Sequence, residues 1–179
     1  IVVNTASNNH TGTHGEGSRP FLFLPNHPAL VDPLIVYSRI AGFNPRALSD
    51  EARMSGPIER LIVNRLGIIT IPDPMKEGRR NLGAVEVGLN KITAALKQGD
   101  SILLYPSGKI YRSNNEHLGA NSAVAHILKA APDTRVILVR TTGLWGSSFS
   151  RAGGNAPDVV GNLFKRLPAL FLNLLFFMP

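Results

Sequence analysis

The stretch LGAVEVGLNKITAALKQGDSILLYPSGKIYRS, residues 82–113, decides how the rest of the chain is read. Leu82, Val85, Leu89, Ile92 and Leu96 recur at steps of three and four, one apolar stripe along a helix. Gly99 supplies the left-handed stop that commonly ends a helix. The apolar run Ser101–Tyr105 follows at once as a strand, and a proline, a glycine and two basic residues take the chain out of it. Helix, tight stop, strand and polar exit are one repeat of an alternating α/β chain.

Working outward, the alternation persists. Phe21–Leu24 is a short buried strand. Pro33–Ala41 is a helix stopped by Gly42, and Pro57–Leu66 a helix closed by Gly67 before the strand Ile68–Ile71. Beyond residue 113, a helix is expected over about Ala120–Ala130 and a strand over Arg135–Arg140. This order implies a single α/β domain whose central sheet is mixed but mostly parallel, with helices on its flanks. Residues 1–20 are expected to form a short strand and a polar loop, 21–158 the domain itself, and 159–179 an amphipathic or core helix.

The chain has 179 residues, 44% of them hydrophobic, and a mean hydropathy near zero, which fits one globular domain. Its net charge is +7, which favours an anionic partner. The excess is uneven: residues 1–100 carry 11 basic and 9 acidic groups and residues 101–179 carry 8 and 3, so most of it lies in the half that holds the 105–113 loop. Few aromatics accompany these charges and no nucleic-acid motif is present, so a nucleic-acid partner is not expected. There is no cysteine, which excludes disulfides, thiolate metal sites and a cysteine nucleophile. His10 and His14 are four apart, but Asn, Gly, Ser and Thr around them oppose the helix that would bring them together, so no metal site is expected. Both termini read as cuts in a longer protein. The terminal run LPALFLNLLFFM has about 12 apolar residues, short of the roughly 18–20 that span a bilayer, and reads as a core or interfacial helix.

Two loops follow strands on the carboxyl side, where ligands gather in open α/β sheets. In PNHPALVDP, residues 25–33, His27 and Asp32 are five apart. On one continuous helix they would lie about 140° from each other. Pro33 instead favours Asp32 as the helix N-cap, with 27–31 as a turn that folds the imidazole onto the carboxylate. Such a pair leaves the other ring nitrogen as a base, on the side chain whose ionisation falls nearest neutrality. The plainer reading makes Asp32 a cap and His27 a turn residue. Asn26 is a turn former whose amide can fix the loop.

YPSGKIYRS, residues 105–113, is not a Walker-type loop, because Leu103 stands where the first glycine belongs and Ile110 where the hydroxyl belongs. Ser107 lacks the flanking glycines of a nucleophile elbow, as do the serines of GLWGSS at 143–148. Two readings stay open: a basic surface loop, or an anion pocket with Gly108 admitting the backbone, Ser107 donating a hydrogen bond, and Lys109 and Arg112 supplying charge.

NHPALVDP resembles the His-x4-Asp block of the glycerolipid acyltransferase family, the lysophospholipid and acylglycerol-phosphate acyltransferases, and LLYPSGKIYRS is similar to that family's Phe-Pro-Glu-Gly-Thr-Arg block. LGIITIPDP at 66–74 and VILVRTTGLWG at 136–146 occupy the places of two further blocks, so the resemblance runs from about Phe21 to Trp145. It implies that His27 deprotonates an acceptor hydroxyl while Asp32 orients it. It also implies that Asn26, Ser107, Gly108, Lys109 and Arg112 bind substrate, and that the acyl group comes from acyl-CoA or an acyl carrier protein, with no cofactor. Ser107 replaces the family glutamate, Asp73 stands where an arginine is frequent, and Leu138 replaces a proline. The Gly-Lys-Ile variant is most similar to the branch that reacylates lysophospholipids, which includes proteins with an added acyl-activating domain. A lysolipid acceptor implies a membrane surface, expected at the cytoplasmic face, with Lys165 and Arg166 leading the apolar tail. A weakened family member that only binds lipid or acyl carrier is the alternative.

Overall fold

The computed structural model describes residues 19–51, 56–72, 75–76, 79–80, 82–108, 110, 123–147, 149–151 and 161. His10, His14, Asp73, Lys109, Arg112 and the apolar tail lie outside them, as does most of the expected N-terminal arm.

Five strands form one sheet: β1 (Phe21–Pro25), β2 (Arg46–Asp50), β3 (Ile69–Ile71), β6 (Ile102–Leu103) and β7 (Arg135–Val139), in the order β3-β2-β6-β1-β7. Every pairing within it is parallel. The sheet expected to be mostly parallel is parallel in every pairing among the described residues. The antiparallel component is a separate two-stranded pair, β4 (Met75–Lys76) with β5 (Arg79–Arg80).

Successive side chains of a strand point to opposite faces, so a sheet buried on both sides needs an unbroken apolar run. β1 supplies it. Leu22 and Leu24 join Ile102 under α3 (Leu82–Lys97) and α4 (Ala123–Ala130), which contribute Ile92, Leu96 and Ile127. Phe23 faces the other way with Leu103, Ile137 and Val139, beneath Val36 and Ile40 of α1 (Asp32–Ile40). Leu22, Phe23, Val36, Ile102 and Ile127 are fully buried, each stabilising the fold by about 1.5–3 kcal/mol relative to exposure. On the α1 face the Phe43 ring meets Phe21 edge-on at 5.2 Å.

Three elements differ from the sequence reading. α1 ends at Ile40 and passes through a 3-10 turn, Ala41–Phe43; the left-handed residue is Asn44, at φ 45°, rather than Gly42. β2 is an addition. Its sequence RALSD shows little strand propensity and is held as a strand by β3 on one side and β6 on the other. In α3 the buried face is Ala84, Gly88, Ile92, Ala95 and Leu96, while Leu82 is 69% exposed. The first half of the helix turns its small residues inward because it packs tightly on β3: a Cβ on Gly88 would stand 3.3 Å from Cγ2 of Ile71.

The connection from β1 through α1 leads past β6 to β2, whereas that from β6 through α4 leads past β1 to β7. Adjacent strands β1 and β6 therefore send their chains to opposite faces and opposite sides. Between their carboxyl ends lies the crevice where α/β sheets bind ligands. At the other end of the sheet, Arg46 donates to Gly67 O at 2.8 Å and pairs with Asp100 at 2.7 Å, tying β2 to the ends of α2 (Pro57–Leu66) and α3. Both charges are more than a third exposed, so the pair contributes little beyond register.

Candidate active site

β1 ends at Pro25, and residues 26–31 cross the carboxyl edge of the sheet before α1 begins. Nδ1 of His27 lies 3.1 Å from Oδ1 and 3.0 Å from Oδ2 of Asp32. The expected fold-back of the imidazole onto the carboxylate is present. Its cause differs from the expected cap. The N-cap is Val31, in a helical conformation, and Asp32 is already the first helical residue, with Pro33 just behind it. The preference that Pro33 imposes on its predecessor is overridden. The Asp32 carboxylate does not turn forward to the first-turn amides; it turns back, where Ala29 N–H donates to Oδ2 at 3.2 Å.

Asp32 is fully buried and His27 is 15% exposed. A buried carboxylate is tolerated only with partners, and here they are the imidazole, the Ala29 amide and the amino-terminal end of α1. A carboxylate that only accepts hydrogen bonds pairs with a hydrogen on Nδ1, the tautomer that leaves Nε2 with its lone pair.

Two further clamps hold the turn. Asn26 Nδ2 donates to Thr141 O at 3.0 Å, while Asn26 Oδ1 accepts from Thr141 N at 2.7 Å and Oγ1 at 3.1 Å. These contacts all serve to fix the loop against the end of β7. On the far side, Leu30 N donates to Phe149 O at 3.0 Å, and Ala29 and Ser150 form an isolated antiparallel bridge.

The second loop arrives from β6. Gly108 N donates to Tyr105 O at 3.0 Å, closing a turn over Tyr105–Gly108. Gly108 has φ 66°, yet a Cβ there would meet nothing within 4 Å. It is the backbone conformation, and not a close approach, that calls for glycine. The Tyr105 ring packs on the His27 imidazole, centroids 4.3 Å apart and planes 38° from parallel.

No family model matches the chain, and no curated protein matches it. Among solved structures it is similar to the 1-acyl-sn-glycerophosphate (LPA) acyltransferase, PlsC, from Thermotoga maritima. The TM-score is 0.46 at 12% identity, over 90% of this chain and 68% of that one.

The structure thus gathers Asn26, His27, Asp32, Ser107 and Gly108 at one edge of the sheet, on loops from neighbouring strands. Lys109 and Arg112 lie outside the described residues. The sequence did not announce three participants: Tyr105, which reads as the end of a strand; Thr141, which reads as a turn residue; and the 149–151 segment. Tyr105 and Thr141 reach the site through the pairing of β1 with β6 and β7, and 149–151 through its bridge to Ala29. Among the described residues there is no group of three metal-ligating side chains, and no helix is long and apolar enough to cross a membrane.

Proposed function

We propose that the chain is an O-acyltransferase moving an acyl group from acyl-CoA or an acyl carrier protein to the hydroxyl of a lysophospholipid or related glycerolipid. The observation that carries this reading is the His27–Asp32 contact at 3.0–3.1 Å, set at the switch point of the sheet beside the 105–108 turn. Supported by Asp32 on Nδ1, Nε2 of His27 removes the proton of the acceptor hydroxyl. The oxygen attacks the thioester carbonyl, the carbon–sulfur bond breaks, and the proton passes from the imidazole to the departing thiolate. No protein nucleophile is needed, and no acyl-enzyme forms. General-base assistance of this kind contributes about 10²–10⁴-fold.

Gly108, with Lys109 and Arg112 beyond it, holds the acceptor's anionic headgroup, and Asn26 keeps the loop in place. The acceptor's hydroxyl sits at headgroup level, so the protein works against a membrane surface at its cytoplasmic face. Mass spectrometry of the lipids formed from mixed lysophospholipids, with acyl-CoA and with acyl carrier protein, tests the reading. Wild-type protein forms diacyl product and His27→Ala does not; product formation undiminished in His27→Ala refutes it.

Ser107, where the resembling family has glutamate, favours a second reading: a protein that binds lipid or acyl carrier without turnover. Inactive wild type together with an active Ser107→Glu variant supports this second reading.

A further inference from the structure

Arg151 belongs to none of the stretches that the sequence singles out. The Ala29–Ser150 bridge and the Leu30 N to Phe149 O hydrogen bond set 149–151 antiparallel to 28–30. In that register Arg151 stands across from Pro28, one residue from His27. The arginine is partly buried; its Nε is shut off from solvent and has no hydrogen-bond acceptor among the described residues.

A guanidinium donor withdrawn from water without a partner is costly. Asp32, the buried carboxylate of the neighbouring turn, is engaged by His27 and Ala29. Arginine has five donors in a planar fork that matches the oxygens of a phosphate and is always charged. An arginine whose Nε donor is buried and unanswered, on a segment bridged to the turn that carries His27, is therefore pre-set for an anion that arrives with the substrate.

We propose that Arg151 is a phosphate-binding residue of this site, pairing through its guanidinium with a phosphate of the substrate. That phosphate belongs either to the acceptor headgroup or to the thioester donor. The assignment rests on the His27 turn being the substrate site, but phosphate binding is measurable without turnover.

The first experiment titrates the full chain with inorganic phosphate and follows amide chemical shifts of residues 26–32. Wild-type protein shows saturable shifts, Arg151→Gln weakens the binding by about tenfold or more, and Arg151→Lys, which keeps charge but loses the fork, falls between them. Equal binding by wild type and Arg151→Gln, or no response in the wild type, overturns the proposal. If Arg151→Gln does not fold, by its thermal melt, Arg151→Lys decides: unchanged binding there overturns it.

The second experiment separates the sources. KM is compared between lysophosphatidate and monoacylglycerol as acceptors, and between palmitoyl-CoA and S-palmitoyl-pantetheine as donors. A rise of about tenfold in Arg151→Gln, smaller in Arg151→Lys, confined to lysophosphatidate assigns the acceptor's phosphate, and one confined to palmitoyl-CoA assigns the donor's. An equal rise for phosphate-bearing and phosphate-free substrates overturns the proposal. Absence of turnover in the wild type refutes acyl transfer, and the titration still judges Arg151.

Discussion

The ring of Tyr105 rests 4.3 Å from that of His27, so the last residue before one loop supports the imidazole of the other. The contact exists because β1 and β6 are paired in parallel, Phe23 beside Leu103, and both chains leave the sheet at the same edge. A tilted aromatic pair of this kind adds about 0.5–1.5 kcal/mol beyond its buried area. More important for chemistry, it limits how the imidazole can swing. Tyr105→Phe is expected to keep acyl transfer within about threefold, and Tyr105→Ala to lower kcat by about ten- to a hundredfold through misplacement of the base. Steady-state kinetics of the two variants check this, and equal losses in both would shift the role from the ring to the hydroxyl.

Asp32→Asn tests the carboxylate with the shape kept. The new amide has one acceptor and one donor end. If its oxygen keeps the Ala29 N–H, its NH2 faces Nδ1 of His27, which then gives up its hydrogen, and Nε2 becomes the protonated nitrogen, unable to act as a base. We expect kcat to fall by at least about a hundredfold with little change in the acceptor KM. A fall confined to KM would show that Asp32 serves binding and not the base.

Asn26→Ala removes three hydrogen bonds to Thr141, a residue 1% exposed. The Thr141 amide and hydroxyl lose their acceptor in a buried setting, and the expected loss is about 1–3 kcal/mol of stability. Urea unfolding of wild type and variant measures it. Asn26→Asp keeps the acceptor for Thr141 N–H but sets a carboxylate oxygen against Thr141 O, so a loss at least as large is expected there.

Gly108→Ala isolates a backbone effect. The position has φ 66° with open space around its Cβ site, so the cost comes from the left-handed conformation alone, about 1–2 kcal/mol. Asn tolerates that region better than Ala. Gly108→Asn is therefore expected to melt closer to wild type than Gly108→Ala in a thermal scan, and the reverse order would contradict the conformational explanation.

The alternation of apolar helices and strands determined the fold class, because Ile92 and Leu96 on the core face of α3 and the two-sided run of β1 are written in residue spacing. The nearness of His27 and Asp32 was equally local, since five residues and a turn suffice to join them. What the spacing misassigned, Asp32 as cap and Leu82 as core, was decided by neighbours: the Ala29 amide that draws the carboxylate back, and Ile71, which admits only small residues from the start of α3. β2 became a strand because it fills the space between β3 and β6, whatever its own propensity. Tyr105, Thr141 and Arg151 were invisible as site residues for a related reason. They stand 78, 114 and 124 positions from His27 in the chain, and only the parallel pairing of β1 with β6 and β7, together with the Ala29–Ser150 bridge, brings their segments to the same edge. Local spacing specifies what contacts within a turn or along one element; contacts between chain ends of neighbouring strands depend on strand order, which no single segment encodes.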